Sequence, residues 1–538
     1  MSTVAKKKTK RKTNEEKVQK SKSIDINIYV DKYFWLIIPI LTIIYFISSR
    51  YSQGFYQDDE IAQYINMLKF WSDPAVILGN NPKPGYKIFM VLPALFSYDT
   101  VLIVNSLIAS LTVYFTYVMI KAYNINYAFF GAVLLAFQPL FFDLSFRSYS
   151  EIFTALCIVI FLILYKKEMF FWSALVIGYV FTVRQEIALV IIVLAILFLR
   201  NKHYTAIIGL AVFPVLYNLL GFLKTGDILY VMSEMQKVAG LDYKSQGLFH
   251  YFKVYIFIVG PISLALFLLG FFGFFKDTNK FKEYVSRYLL FYIIFVGIFG
   301  VQMMTMINDG PNPGNWRYLL HISPVCAFFA TVGLNNLADK EFKKTHYIIT
   351  GIFAFLVLAF LSKTTDGFVL LDKTDYSKFV FILLFIVFTV LFWSESSRTY
   401  LNKLSLLLIA LAVISLYNSF EPKQLSAENI SVKQVADYVN TIDGIENREV
   451  LTNHTLMIFY SDSYKKNPGR FKSINSNTIK DLPKGSLIVW ESHYGYRPEW
   501  GSDVQAETLQ KDSTFKMINQ FISSNRAFAV YVYEKVNN

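Results

Sequence analysis

Apolar runs of about 15 to 20 residues recur along most of the chain, and no other feature limits its fold so strongly. Runs of that length form helices that cross a bilayer. The chain has 538 residues, of which 54% are hydrophobic and only 17% are charged, whereas soluble domains carry about 25% charged residues. The sequence therefore predicts a polytopic α-helical membrane protein with the lipid bilayer as a partner.

The predicted spans number about thirteen. They follow a basic segment, residues 1–32, which we interpret as a disordered cytoplasmic tail. Basic residues recur in the hinges on the side of this tail, so the positive-inside rule places the N-terminus in the cytoplasm. The transmembrane region is predicted at 33–418, with spans at 33–48, 100–120, 126–142, 151–165, 169–183, 187–199, 204–222, 252–275, 288–306, 318–336, 346–361, 378–393 and 404–418.

The first outer loop, residues 50–99, contains one further apolar segment, Ile88–Phe96. This segment is too short to span a bilayer and includes Pro93, so we interpret it as interfacial or re-entrant. The choice affects the whole topology, because a spanning Ile88–Phe96 would reverse every later assignment of sidedness.

Residues 419–538 are polar and lack a run of membrane length. Val432–Ile442 is predicted as a helix, and Leu487–Trp490 and Ala527–Tyr533 as strands. We therefore expect a small C-terminal α/β domain outside the cytoplasm.

Other function classes find little support. The net charge of +13 is concentrated in the tail and the hinges, as expected for a membrane protein and not for one that binds nucleic acid. Cys157 and Cys326 both lie in apolar runs, which predicts buried thiols without a disulfide. The histidines show no metal-ligand spacing.

Three consecutive acids, Asp58, Asp59 and Glu60, follow the first span. If a helix begins here, Asp59, Gln63 and Asn66 form a polar stripe on one of its faces. Charged groups at a membrane boundary are costly unless they are solvated or used. The structural alternative makes Asp58 an N-cap and the other acids partners of the helix dipole.

Further charged and aromatic residues fall in the later outer turns: Arg147, Glu151, Arg184, Glu186, Trp316, Arg317 and Tyr318. Each has a structural alternative. Arg147 with Glu151, four residues apart, can form a helix-end ion pair, Arg184 with Glu186 a local pair, and Arg317 an anchor to headgroups. Together, however, arginines suit a lipid phosphate, and a carboxylate can accept a proton from an attacking hydroxyl.

This arrangement resembles the GT-C glycosyltransferases, which use polyprenyl-phosphate sugars as donors. Asp58-Asp59-Glu60 is similar to the acidic motif that this superfamily carries in its first non-cytoplasmic loop, particularly in its mannosyltransferases. Arg317-Tyr318-Leu319 with Pro324 is similar to an Arg-Tyr-Leu…Pro segment at the head of a late span. The resemblance covers residues 33–336 and implies a GT-C-like fold.

The resemblance also implies roles for these residues. Asp59 is the expected catalytic base, Glu60 shapes the pocket or holds the acceptor, and Asp58 completes the motif. The donor phosphate is expected on Arg184, Arg317 and Arg147, and the remaining pocket residues are Gln63, Glu151, Glu186, Trp316 and Tyr318. Some relatives need a divalent metal, but no second set of ligands is visible here, so we expect no cofactor.

The activity expected is transfer of mannose or a similar hexose, with inversion, from a polyprenyl phosphate to a glycan, lipid or protein acceptor. Lys-, Asn-, Ile- and Phe-rich usage suits an AT-rich bacterial genome, which predicts the bacterial inner membrane and a periplasmic C-terminal domain. Two alternatives are a transporter or flippase of lipid-linked sugars and a non-catalytic protein of envelope assembly. A transporter would place charges in mid-span and show repeats.

Overall fold

The structure is a computed structural model that describes residues 26–337 and 398–537, together with a few positions between 355 and 368. Within these ranges, residues 58, 80, 82, 240–242, 277, 462–466 and 499–500 are not described. Residues 1–25 of the predicted tail, most of the predicted span 346–361 and all of the span 378–393 lie outside the described residues.

The described part of the chain before residue 338 is mainly helical. Its helices are α1 Ile26–Tyr33, α2 Ile37–Tyr51, α3 Asp59–Lys69, α4 Pro84–Phe96, α5 Tyr98–Ala122, α6 Ala128–Ala136, α7 Pro139–Leu144, α8 Glu151–Lys166, α9 Phe170–Val180, α10 Ala188–Arg200, α11 Tyr204–Thr225, α12 Tyr230–Ala239, α13 His250–Val259, α14 Pro261–Phe271, α15 Phe281–Arg287, α16 Leu289–Met304 and α17 Ser323–Leu337. Short 3₁₀ helices occur at Phe34–Leu36, Pro74–Ile77, Gln185–Ile187, Gly273–Lys276, Thr278–Lys280 and Trp316–Ile322.

The remaining described elements include a hairpin, a last apolar helix and the C-terminal domain. They are β1 Lys363–Thr364, β2 Gly367–Phe368, α18 Arg398–Ser419, α19 Ala427–Asn440, β3 Val450–Thr452, α20 Thr455–Tyr460, β4 Phe471–Lys472, α21 Ser476–Lys480, β5 Leu487–Glu491, β6 Tyr496–Arg497, β7 Ser502–Asp503, α22 Ala506–Lys511, β8 Phe515–Ile522 and β9 Ala529–Lys535, with 3₁₀ turns at Ile445–Asn447 and Pro468–Arg470.

The predicted apolar runs in the described residues are helical, but the predicted number of spans is not confirmed. In the described residues, four helical segments are long and apolar enough to cross a membrane: Val30–Tyr51, Tyr98–Ala122, Tyr204–Thr225 and Trp316–Asn336. The pairs α13–α14 and α15–α16 raise the number to six if each is one bent span. The first pair bends by 114° because Gly260 has a φ of +82° and Pro261 starts a new helix.

Two predicted boundaries differ from the structure for identifiable reasons. The predicted span 126–142 is two helices, α6 and α7, because Pro139 begins a new helix at its first turn. Ile88–Phe96 lies within α4, which has 13 residues and includes Pro93. That length is below a full span, and the interfacial or re-entrant placement of this segment stays a prediction.

The core of the membrane region is formed by close helix pairs, among them α14 with α17, α9 with α11, and α5 with α8. The α14–α17 pair depends on a small residue at its contact. A Cβ placed on Gly333 of α17 would overlap the carbonyl oxygen of Leu266 in α14. Small residues of this kind allow helix backbones to approach closely in a membrane.

The C-terminal domain is the α/β unit that the sequence predicts. Its five-stranded sheet has the order β4-β3-β5-β9-β8, with β4, β3 and β5 parallel and the other pairings antiparallel. The predicted helix and both predicted strands are present as α19, β5 and β9, with ends shifted by a few residues. β5 is buried along its whole length because helices cover the sheet.

This domain lies directly against α3, the helix that begins with the acidic motif. Phe459 of α20 makes edge-to-face contacts with Phe55, Tyr64 and Tyr98. The backbone amide of Gly54 donates to the carbonyl of Lys423 at 2.7 Å. The segment that precedes α3 is therefore fixed by the C-terminal domain as well as by the membrane helices.

We predict that Gly333→Ala lowers the thermal unfolding midpoint of the detergent-solubilised protein. The added methyl group overlaps backbone in α14 and costs about 1–3 kcal/mol, as overpacking does. Gly300→Ala is the matched control, because no atom lies within 4 Å of its added Cβ, and alanine favours a helix over glycine. An equal midpoint for Gly333→Ala and the wild type would show that the α14–α17 contact is not tight.

Candidate active site

Helix α3 presents two adjacent acids to different surroundings. Asp59 is 49% exposed at its side chain, whereas the side chain of Glu60 is 2% exposed. Consecutive residues on a helix point about 100° apart, which explains the difference. Asp58 lies outside the described residues, so its predicted role in the motif stays a prediction.

Asp59 is held by a chain of ion pairs that joins four separate segments. Nη2 of Arg317 donates to Oδ2 of Asp59 at 2.8 Å, and Nη1 of Arg317 lies 3.4 Å from Oε1 of Glu151. Glu151 also pairs with Arg184, whose Nη1 lies 3.4 Å from Glu186. The sequence predicted all five residues for the site, and the structure brings them together.

Glu151 is the centre of this chain of ion pairs. It is fully buried at the first position of α8, and Arg184 and Arg317 are also buried. A buried carboxylate or guanidinium is costly unless it is paired. One carboxylate between two arginines satisfies this requirement and keeps both guanidinium groups on the same side of Asp59.

The start of α4 packs against the turn that carries Arg184. The amide of Gly85 donates to the carbonyl of Thr182 at 3.2 Å, and Tyr179 donates its hydroxyl to the carbonyl of Gly85. A Cβ on Gly85 would overlap Oγ1 of Thr182, so only glycine permits this approach. The contact places the N-terminus of α4 beside Arg184.

This packing brings in two lysines that sequence reasoning missed. Lys83 immediately precedes α4 and interacts electrostatically with Arg184 and Glu151. Its burial, and to a smaller extent the positive charge of Arg184, lowers the pKa of Lys83 to about 7. Lys87, in the first turns of α4, is fully buried, and its Nζ has no hydrogen-bond partner in the described part of the chain. A lysine inside a short apolar helix was the signal that could have identified Lys87.

His321 is another buried residue that the sequence did not single out. It follows Arg317 by one turn in the 3₁₀ helix Trp316–Ile322. Among the described residues, neither of its ring nitrogens has a hydrogen-bond partner. It interacts electrostatically with Glu186 and Arg184 and therefore lies close to these ion pairs.

The cluster carries more positive than negative groups. Its four basic side chains are Lys83, Lys87, Arg184 and Arg317, and its three carboxylates are Asp59, Glu151 and Glu186. When both lysines are protonated, the cations outnumber the carboxylates, and a bound anion favours that protonated state. We call this set the cationic cluster.

Glu60 and Arg147 form a separate buried network. Glu60 accepts hydrogen bonds from the Tyr98 hydroxyl at 2.7 Å, from Nη1 of Arg147 at 3.2 Å and from the amide of Tyr56 at 3.2 Å. Arg147 also donates to the Gly54 carbonyl and to Oγ of Ser52, both at 2.9 Å. The network fixes the segment between α2 and α3.

The alternative ion pair between Arg147 and Glu151 is wrong. Arg147 pairs with Glu60 and Asp143, whereas Glu151 pairs with Arg184 and Arg317. A four-residue spacing reliably brings side chains together when both residues lie in one helix. Because α8 begins at Glu151, Arg147 lies outside that helix. The local pair of Arg184 with Glu186 is present, but it is one link of the larger chain.

The other predicted pocket residues, Tyr318, Gln63 and Trp316, make different contacts. Tyr318 lies beneath the guanidinium groups of Arg184 and Arg317, at 5.4 and 5.5 Å from its ring centroid. Gln63 is buried in α3 and donates to the Asn81 carbonyl at 3.4 Å. Trp316 stacks on Phe257, with centroids 5.7 Å apart. Cation–π contact with Tyr318 helps to orient the arginines.

In the described ranges, no group of three or more His, Cys, Asp or Glu side chains is placed to hold a metal ion. The expectation of metal independence stays a prediction.

Comparison with known proteins gives two findings. Residues 83–253 match the family model of glycosyltransferase family 87. This segment contains Lys83, Lys87, Glu151, Arg184 and Glu186. A search of curated proteins by sequence finds no match.

Two solved structures share the overall fold. Both are of ArnT from Cupriavidus metallidurans, one bound to undecaprenyl phosphate and one in the apo state. Each has a TM-score of 0.59 and covers 94% of this chain and 98% of the ArnT chain, with sequence identities of 12% and 13%, respectively. The predicted resemblance is confirmed: residues 83–253 match the model of a glycosyltransferase family, and the chain has a fold similar to that of ArnT.

Proposed function

We propose that this protein is a membrane glycosyltransferase that transfers a hexose, such as mannose, from a polyprenyl phosphate with inversion at the anomeric carbon. The observation that carries the proposal is the position of Asp59. Its half-exposed carboxylate is fixed by Arg317 at 2.8 Å and belongs to a cluster of four basic side chains and three carboxylates. A base therefore lies next to a site for a phosphate.

The cations account for the donor phosphate. Arg184 and Arg317 present planar, permanently charged donors that match phosphate oxygens. Lys83 and Lys87 add two basic groups, and the negative charge of a bound phosphate favours their protonated forms. Arg147, the third predicted phosphate ligand, has its guanidinium committed to Glu60, Gly54 and Ser52, so the proposal assigns it a structural role.

Asp59 accounts for the acceptor. It accepts the proton of an acceptor hydroxyl while the oxygen attacks C1 of the sugar. The bond from C1 to the phosphate oxygen breaks, and the polyprenyl phosphate leaves as an anion that the cationic cluster stabilises. No general acid is needed, because the leaving group is already a phosphate. Glu60 supports the reaction indirectly by anchoring the start of α3.

The comparisons support this donor class. One ArnT structure contains undecaprenyl phosphate, and we extend that lipid class to this chain on the strength of its own cations. We further propose about thirteen spans, a cytoplasmic N-terminus, a bacterial inner membrane and a periplasmic C-terminal domain. The acceptor is proposed to be a glycan, lipid or protein on the outer face.

We predict that Asp59→Asn lowers transfer by about 10²- to 10⁴-fold, the range for loss of a general base. The assay follows release of undecaprenyl phosphate from its mannose or glucose conjugate, with an envelope glycan and lipid extract as acceptor source. Binding of undecaprenyl phosphate to Asp59→Asn is expected to remain, since the cations are intact.

Asp99→Asn is the control for that substitution. Asp99 is an exposed acid that pairs with Arg50, and exposed pairs contribute little to stability. Full activity of Asp59→Asn would exclude Asp59 as the base. Absence of binding to any polyprenyl phosphate would contradict the donor assignment and favour a non-catalytic protein.

We also predict that affinity for undecaprenyl phosphate falls as pH rises from about 7.5 to 9, where the lipid phosphate is already a dianion. The pKa of Lys83 is about 7 in the free protein, so Lys83 is charged below that pH and neutral above it. Binding requires the charged form, and the dissociation constant rises by up to about tenfold per pH unit.

Lys83→Arg keeps its charge throughout this range and is expected to bind with little pH dependence. Titrations in nanodiscs of neutral lipid measure the dissociation constant for undecaprenyl phosphate across this pH range in the wild type and in Lys83→Arg. The same pH profile for the wild type and Lys83→Arg would show that Lys83 does not contact the phosphate.

A further inference from the structure

A cleft lies between α3 and the C-terminal domain, and none of its lining residues belongs to the cationic cluster. It has a volume of ≈ 270 Å³, and polar and apolar atoms contribute about equally to its lining. Helix α3 forms one wall with Ala62, Ile65, Asn66 and Lys69. The opposite wall belongs to the C-terminal domain and contains Thr452, Asn453, Thr455, Ile458, Ser473, Tyr494, Arg497, Gly501 and Ser502.

The cleft continues the helix face that carries Asp59. Asn66 follows Asp59 by seven residues, which is nearly two turns and about 10 Å along the axis. Ala62 lies between them on the same side of α3. A ligand seated in the cleft can therefore extend along α3 and bring one end to the carboxylate of Asp59.

The wall formed by α3 carries two polar side chains, Asn66 and Lys69, that have no side-chain partner among the described residues. Lys69 is half-buried, and its ammonium group forms no ion pair or hydrogen bond with any described residue, although its backbone carbonyl accepts from Ser72. The side-chain amide of Asn66 likewise has no hydrogen-bond partner in the described ranges. Burial lowers the pKa of Lys69, which is the effect of removing an ammonium from water without giving it a partner.

The wall formed by the C-terminal domain is held rigidly. Asn453 donates to Oγ of Ser502 at 2.6 Å and to the carbonyl of Tyr494 at 3.2 Å. Nε of Arg497 donates to the carbonyl of His493 at 2.9 Å, which orients its guanidinium. Of the described residues that line the cleft, Lys69 and Arg497 are cationic and none is acidic.

We propose that this cleft binds the acceptor, and that the acceptor is a carbohydrate with an anionic substituent close to the hydroxyl that is glycosylated. The inference rests on the proposed function for the identity of the reaction, but the binding itself does not require transfer. Hydroxyl groups match the amide and hydroxyl donors and acceptors of the lining. A carboxylate or phosphate on the sugar matches the ammonium group of Lys69.

The size of the cleft agrees with part of a longer chain. Complete small-molecule sites enclose about 300–1,000 Å³, so this open cleft holds a short segment and leaves the rest of the ligand in solvent. The proposal gives the C-terminal domain a function: it forms the wall that selects the acceptor, while the membrane region binds the donor.

Binding to the full-length protein in nanodiscs of neutral phosphatidylcholine tests the proposal. Isothermal titration compares tetragalacturonate with maltotetraose, a neutral glycan of equal length, and with inorganic phosphate. We expect tetragalacturonate to bind best and Lys69→Gln to weaken it about tenfold, which is the usual effect of losing one charge-assisted hydrogen bond. Lys516→Gln removes the same charge from the exposed part of β8 and is expected to bind as the wild type does.

Each alternative result overturns a defined part of the proposal. Equal affinity of the wild type and Lys69→Gln excludes this cleft. Equal affinity for maltotetraose and tetragalacturonate excludes the anionic substituent, and equal affinity for inorganic phosphate excludes a carbohydrate site. Failure of all three probes to bind the wild type rejects the proposal as a whole.

Two further measurements separate this proposal from the proposed function. Lys69→Gln is expected to bind undecaprenyl phosphate normally, and Asp59→Asn to bind tetragalacturonate normally. If Asp59→Asn retained full transfer activity while Lys69→Gln lost glycan binding, the catalytic assignment would fail and the cleft would stand. Loss of undecaprenyl phosphate binding in Lys69→Gln would mean that the residue acts through the donor site or the fold.

Discussion

The ion pairs of Glu151 are the interaction on which the candidate site depends. This carboxylate is fully buried and contacts both Arg184 and Arg317, and Arg317 in turn fixes Asp59. Without Glu151, two guanidinium groups would stand buried beside two lysines with too little negative charge to compensate them. With it, the cations remain close together and retain enough excess charge to attract a phosphate.

The second constraint is the position of α3 between the membrane region and the C-terminal domain. The cationic cluster and the Glu60–Arg147 network fix its beginning, and α20 of the C-terminal domain packs along it. One face of α3 therefore carries the candidate base at one end and lines the acceptor cleft further on. In this account, donor and acceptor meet at Asp59 because a single rigid helix links their sites.

Sequence reasoning identified the class of fold and most of the cluster, because charges in short turns between apolar runs are conspicuous. It did not identify Lys83 and Lys87, since their proximity to Arg184 depends on the contact between Gly85 and Thr182, which no local pattern encodes. It also offered Arg147 with Glu151 as an alternative pair, because residue spacing does not reveal that a helix begins at Glu151. Local periodicity predicts faces of helices, whereas packing between distant segments decides which charges meet.

The most direct test of the central claim is a structure of the full-length protein with undecaprenyl phosphate in a nanodisc. The account predicts a phosphate within hydrogen-bond distance of Arg184 and Lys83, on the side of the cluster that faces Asp59. A phosphate bound instead at Arg50, or in the cleft at Lys69, would contradict the assignment of the cationic cluster to the donor.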